Sequence, residues 1–122
     1  MQEIPNKNIT LDQLQDMFSN ISKKSKWDMN GAMLWGYFFT HREPLLLEKA
    51  KEILIEKGYQ FVDIYLSDKD DKNAPDMWWL HIEKMESHTP ESLDKRNNEF
   101  YIFADQFSID SYDGMDVGPV KK

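Results

Sequence analysis

The stretch that decides the fold runs from Met33 to Leu66 and reads MLWGYFFTHREPLLLEKAKEILIEKGYQFVDIYL. Its first eight residues are aromatic or apolar at almost every position, which is typical of a central strand covered on one face and partly on the other. Pro44 then stands where a first helical residue tolerates a missing N–H, and Gly58 supplies a helix stop. The stretch therefore predicts a strand, a helix and a second strand.

Upstream of this stretch, a helix is predicted from about Leu11 to Lys23. Thr10 and Gln13 have the spacing of a capping box, and apolar residues repeat at helical spacing after them. The polar segment 22–31 predicts a connection, which we expect Trp27 to pin to the core. We therefore divide the chain into an N-terminal helix and connection, 1–30, and a main domain, 31–122, as one folding unit overall.

Downstream, residues 67–76 are rich in Asp and predict a solvated loop. Residues 77–84 predict a half-buried strand with two faces, Trp78, Leu80 and Ile82 on one and Trp79, His81 and Glu83 on the other. Thr89 and Pro90 begin a helix that is predicted to end near Phe107. Residues 111–117 predict a last short strand.

Helical spacing also predicts which side chains the two longer helices bury. In the second helix the stripe is Leu46, Ala50, Ile53, Leu54 and Lys57. In the third it is Leu93, Asn97, Phe100, Ala104 and Phe107, joined by Arg96 and Phe103.

After the first helix, the predicted order is strand, helix, strand, strand, helix, strand. This is the split βαβ pattern of a ferredoxin-like α/β sandwich of the α+β type, with an antiparallel sheet and two helices on one face. The other face is left to the N-terminal helix, a partner or solvent.

Charge and composition narrow the classes of function. The chain has 122 residues, with 22 acids against 15 bases and a net charge of −7. Binding to a nucleic-acid backbone is driven by cations, so no direct nucleic-acid partner is expected. A basic protein partner suits this charge, although excess acid also simply keeps proteins soluble.

Location is predicted from what the sequence lacks. There is no cysteine, which excludes disulfides, thiolate nucleophiles and thiolate metal sites. The first ten residues do not have the basic start and apolar stretch of a signal peptide, and no apolar run is long enough for a membrane span. We expect a cytoplasmic protein without a membrane partner.

No catalytic or cofactor motif is present. The three histidines lack a second ligand at helical spacing, which argues against a metal site. Asp68, Asp70 and Asp71 resemble the start of a calcium loop, but Lys72 stands where a third ligand belongs. Neither a nucleophile beside a base nor a Gly-rich phosphate loop occurs. We therefore expect no enzyme activity, no cofactor and no metal.

The remaining candidate site is a binding surface for a protein. Adjacent tryptophans in a strand point to opposite faces, so one of them is free to serve as a binding anchor unless the first helix covers it. Clustered Asp residues supply steering charge for a basic partner. The predicted partner-binding residues are Asp68, Asp70, Asp71, Trp78, Trp79, Asp110, Asp113 and Asp116.

Several short motifs resemble a known family. They are the aromatic strand that ends near Phe39, the Lys57-Gly58-Tyr59 helix end, the acidic loop, the Trp78-Trp79-Leu80 strand and the Tyr112-Asp113-Gly114 turn. Together they resemble the ribonuclease E inhibitor family, the bacterial regulator of ribonuclease activity B and its relatives, over about 33–117. Met115 departs from the pattern, because an aromatic commonly follows this Tyr-Asp-Gly.

The resemblance implies a non-catalytic, ferredoxin-like protein that binds an endoribonuclease directly and dampens RNA cleavage in the bacterial cytoplasm. A second hypothesis stays open from the residues alone. Small acidic proteins without cysteine also serve as immunity proteins, which neutralise a cognate nuclease toxin. Both kinds of protein use acidic complementarity and an aromatic anchor.

Overall fold

The helices and strands follow one another in the order expected from the sequence. The computed structural model describes residues 4–29, 31–67 and 72–120. These residues form three helices and four strands: α1 (Leu11–Lys24), β1 (Met33–His41), α2 (Pro44–Glu56), β2 (Gln60–Leu66), β3 (Trp78–Glu86), α3 (Pro90–Gln106) and β4 (Ser111–Gly118).

The four strands form one antiparallel sheet in the order β2-β3-β1-β4. β1 lies in the middle, between β3 and β4, so the chain crosses over after β1 and again after β3. This is the split βαβ topology, and the prediction of a ferredoxin-like α+β fold is confirmed.

Local signals set the ends of the helices. The Thr10 hydroxyl accepts a hydrogen bond from the backbone N–H of Gln13 at 3.2 Å, and the Gln13 side chain accepts from the Thr10 N–H at 2.9 Å. Thr89 caps α3 in the same way. Gly58, just after α2, has a φ of 103°, a left-handed conformation that glycine adopts without a steric penalty. The predicted caps and stop are confirmed.

The core lies between the sheet and the helices α2 and α3. Trp35, Tyr37 and Phe39 of β1 are completely buried, and Phe100 of α3 packs edge-on against Tyr37 and Phe39 at 4.9 and 5.2 Å between ring centroids. Edge-to-face packing of this kind stabilises aromatic pairs beyond the area they bury. The aromatic content that the sequence concentrates in β1 is therefore the centre of the core.

Four burial predictions are wrong in detail. In α2, Ala50 and Leu54 are buried as predicted, but the buried row begins at Leu47, and Leu46 is only half-buried. Lys57 is exposed, because it follows the last residue of the helix. Phe107 is 42% exposed, because it follows the last turn of α3. Trp27 is 38% exposed, and Met29, at 4% exposure, is the residue of the connection that packs into the core instead.

Helix α1 packs beside α3, on the same side of the sheet as the other two helices. Phe18 of α1 stacks against Trp35 at 5.9 Å, and Leu14 belongs to the core. The segment before the helix is held by the Tyr101 hydroxyl, which accepts from the Ile9 N–H at 3.2 Å. The sequence left open whether α1 covers the sheet face that α2 and α3 do not cover, together with the tryptophan on that face. In the structure α1 packs on the same side as α2 and α3 instead.

Candidate functional site

One face of the sheet has no helix packed on it within the described part of the chain. Trp35, Tyr37 and Phe39 point into the core, so the residues of β1 that alternate with them point the other way. Residues directly opposite each other on paired strands share a face. This open face consists of Gln60, Asp63 and Tyr65 in β2, Trp79, His81, Glu83 and Met85 in β3, Leu34, Gly36, Phe38 and Thr40 in β1, and Ser111, Gly114, Asp116 and Gly118 in β4.

Half of the open face is an aromatic ladder that crosses three strands. Tyr65 stacks on Trp79 with 6.3 Å between ring centroids and 7° between planes. Trp79 meets Phe38 edge-on at 6.1 Å, and the His81 ring lies flat on Phe38 at 4.4 Å. Tyr65 remains 38% exposed. The ladder offers a partner a continuous aromatic surface.

The other half of the open face is a shallow depression centred on Gly36. Gly36 lies opposite Glu83 in β3 and opposite Asp116 in β4, so a glycine stands between two carboxylates in one row. A Cβ at Gly36 would collide with the Asp116 carboxylate and lie 2.8 Å from Nε2 of His81. We call this space of about 260 Å³ the Gly36 depression, and its lining includes Leu34, Gly36, His81, Glu83, Asp116 and Pro119.

The open face carries acidic side chains without basic ones to balance them. None of its described strand residues is Lys or Arg. Partial burial, reinforced by the negative charges of Asp63, Asp113 and Asp116, raises the pKa of Tyr65. Partial desolvation also raises the pKa of Asp113. A cation brought to this face would interact favourably with its carboxylates.

The two predicted tryptophans have different environments. Trp78 packs against the core, where it lies opposite His41. Trp79 is the half-buried member of the aromatic ladder on the open face. Of the two, Trp79 is therefore the one that is placed to touch a partner.

The predicted aspartates are not all brought together. Asp110 is tied into the fold, because its carboxylate accepts from the Arg42 N–H at 3.0 Å and from Arg42 Nε at 3.2 Å. Asp116 lies in the Gly36 depression, and Asp113 is the extra residue of a bulge beside it in β4. Asp68, Asp70 and Asp71 lie outside the described residues.

Sequence reasoning missed most members of the depression and ladder. Alternation in β3 had already put His81 and Glu83 on the face of Trp79, and that signal was correct. Nothing local connects them to Gly36, Phe38 or Tyr65, because the strand register that makes them neighbours is set by the sheet as a whole.

A second group of polar side chains lies on the helix side of the sheet. Glu86 Oε2 accepts from the Tyr37 hydroxyl at 2.7 Å and from Arg96 at 2.8 Å, with His88 Nε2 at 3.4 Å. His88 also lies 2.9 Å from the Ser92 hydroxyl. The members of this network bind one another, so it joins β3 and α3 rather than presenting a free acid or base.

Two further features of the described residues bear on function. Across 4–29, 31–67 and 72–120, no three His, Asp or Glu side chains stand close enough together to hold a metal ion. In the same part of the chain, none of the helices combines the length and the apolar character that a membrane crossing requires.

The family profile described as regulator of ribonuclease activity B matches residues 11–117. The match runs from the first residue of α1 into β4, and so covers nearly the whole fold. The chain belongs to the regulator of ribonuclease activity B family. The resemblance stated from the motifs is confirmed, and the family's role is to regulate a ribonuclease rather than to catalyse a reaction. No curated protein matches the chain.

Proposed function

We propose that this protein binds a ribonuclease directly and inhibits its cleavage of RNA, without catalysing a reaction of its own. It acts in the bacterial cytoplasm, and the ribonuclease surface that it covers is basic. The open face is the contact surface, with Trp79 as anchor and with Asp113 and Asp116 as steering charges. The toxin-neutralising alternative has no specific observation in its favour and becomes an outcome of the test below.

One observation carries this proposal: an aromatic ladder and several carboxylates share a sheet face that has no lysine or arginine among its described strand residues. Aromatic anchors dominate the energy of protein interfaces, and complementary charge speeds and orients the encounter. A nuclease binds the phosphate backbone with cationic side chains, so its substrate surface complements this face.

The test is inhibition of RNA cleavage by the purified protein. A ribonuclease E of the source bacterium is incubated with a labelled RNA and increasing amounts of the protein, and the cleavage rate is measured. We expect a saturable decrease in rate. Trp79→Ala is expected to raise the half-inhibitory concentration about tenfold, since it removes a central aromatic anchor.

Trp27→Ala is the matched control, because Trp27 is also part-exposed but lies in the connection after α1. It should leave the half-inhibitory concentration within about twofold of the wild-type value. No inhibition by the folded wild-type protein would reject the proposal for ribonuclease E. Inhibition only of a separate toxin nuclease would replace it with the immunity function.

A further inference from the structure

We propose that the Gly36 depression receives a single arginine side chain of the basic protein that covers the open face. This inference rests on the proposed function, since it names the group of the partner that the face recognises. Its occupant is the guanidinium, and the aromatic ladder beside it contacts the residues that flank that arginine.

Two acidic residues flank Gly36 in the depression. Glu83 and Asp116 lie on the strands that flank β1, each opposite Gly36. Neighbouring strands are about 4.8 Å apart, so the two backbones are separated by roughly 10 Å. Because Gly36 has no side chain, the Asp116 carboxylate and His81 Nε2 reach over it, and the depression that both line lies between the two acidic strand positions. A guanidinium carries N–H groups on opposite edges and can reach a carboxylate on either side.

His81 lines the depression and has a ring nitrogen without a hydrogen-bond partner among the described residues. Its Nε2 is buried and makes no hydrogen bond within the described part of the chain, although it lies close above Gly36. A buried polar atom without a partner costs free energy, and a neutral imidazole that carries its proton on Nδ1 offers a lone pair at Nε2. A cationic N–H donor placed in the depression would satisfy it.

The shape and the acceptors of the depression favour arginine over lysine. The acceptors surround the depression on several sides, and the His81 and Phe38 rings are stacked at 22°, which gives its neighbourhood a flat surface. A guanidinium is planar, less strongly hydrated than an ammonium, and has five donors in a fixed arrangement. An ammonium is a compact charge with three donors, so it satisfies fewer acceptors at once.

The test is a titration of the isolated, isotope-labelled protein with Nα-acetyl-arginine amide, followed by amide NMR. We expect saturable shifts that are largest at Gly36, His81 and Asp116. Nα-acetyl-lysine amide should bind at least threefold more weakly. The variant Asp116→Asn should weaken arginine binding at least fivefold, because it keeps the shape of the side chain and removes the charge.

Two variants check the location. Gly36→Ala disrupts the depression, since its methyl group would collide with the Asp116 carboxylate and crowd His81 Nε2; it should abolish the localised shifts. Asp105→Asn is the control, because Asp105 is exposed on α3 and not on the sheet face. It should change nothing. The amide spectrum of each variant reports directly whether it is folded.

Shifts spread over the whole surface, or equal binding of the lysine compound, would overturn the assignment to arginine. A negative result in the arginine titration is separate from a negative result in the RNA-cleavage assay, because the titration contains no nuclease. If the wild type inhibits cleavage and Asp116→Asn and Gly36→Ala inhibit equally well, the depression is not the recognition site and the function stands. If arginine binds here but no ribonuclease is inhibited, the function falls and the site stands.

Discussion

Glu86 is the residue whose ionisation contributes most clearly to the stability of the fold. Burial alone would raise the pKa of Glu86, but hydrogen bonds with His88, Arg96 and Tyr37 outweigh that effect and lower the pKa to about 2. The ordinary value is 4.5. Because the folded-state pKa is the lower one, the stabilisation is present above pH 4.5 and is lost as the pH falls toward 2.

The variant Glu86→Gln tests this contribution. We expect it to lower the free energy of unfolding at pH 7 by roughly 2 kcal/mol, after a discount for partial contact with solvent. At pH 2 the difference from wild type should become much smaller, since the wild-type carboxyl is then half protonated. Urea unfolding at the two pH values measures both differences.

Glu99→Gln is the control at this scale. Glu99 also approaches Arg96, at 3.7 Å, but its side chain is 59% exposed. An exposed ion pair contributes little, so the expected loss is below about 0.5 kcal/mol at either pH. If Glu86→Gln lost as much free energy of unfolding between pH 7 and pH 2 as the wild type does, the loss at low pH would not come from the Glu86 carboxylate.

At the scale of elements, helix α1 is part of the folded core. Leu14 is 1% exposed, Phe18 stacks on Trp35, and Lys7 forms a 2.9 Å ion pair with Asp94 of α3. The sequence predicted this helix with correct start and cap but left its docking site open. The docking site depends on which face of the sheet is already occupied by α2 and α3, and that is not a local property.

The variant Leu14→Ala tests whether α1 folds with the sheet. Removal of a buried leucine side chain should lower the free energy of unfolding by about 3 kcal/mol, through lost burial and the cavity left behind. Thermal unfolding followed by far-UV and near-UV circular dichroism should show one shifted transition. Leu45→Ala, at a site 64% exposed, should cost less than about 0.5 kcal/mol. A separate early transition of α1 would contradict this picture.

At the scale of the whole molecule, the effect of the net charge of −7 on binding depends on where the acidic residues lie on the surface. The open face carries acids and no Lys or Arg among its described strand residues, so we expect a basic partner to meet a stronger field there than elsewhere on the surface. Under the proposed function, Asp113→Lys with Asp116→Lys should slow association with the ribonuclease about tenfold at low salt and flatten its salt dependence. Association rates across a salt series measure this.

The control pair is Asp16→Lys with Glu56→Lys, which changes the net charge equally at exposed positions of α1 and α2. It should slow association far less. Equal effects of the two pairs would mean that net charge alone, and not the open face, guides the encounter.

The sequence by itself determined the order and the approximate ends of the elements and the ferredoxin-like class. Caps, stops and apolar periodicity act over a few residues, so Thr10, Pro44, Gly58 and Thr89 carry this information locally. The same holds for the opposite facing of Trp78 and Trp79, which follows from strand geometry.

Only the tertiary structure decided which residues form the site. In β4, Tyr112 points into the core, and the extra residue Asp113, at the step between Phe38 and Phe39 of β1, shifts the register. Asp116 therefore lies opposite Gly36 on the open face. Without that extra residue, alternation would turn Asp116 toward the core. The register of three strands, set by packing across the whole sheet, therefore brings Glu83, Gly36 and Asp116 into one row.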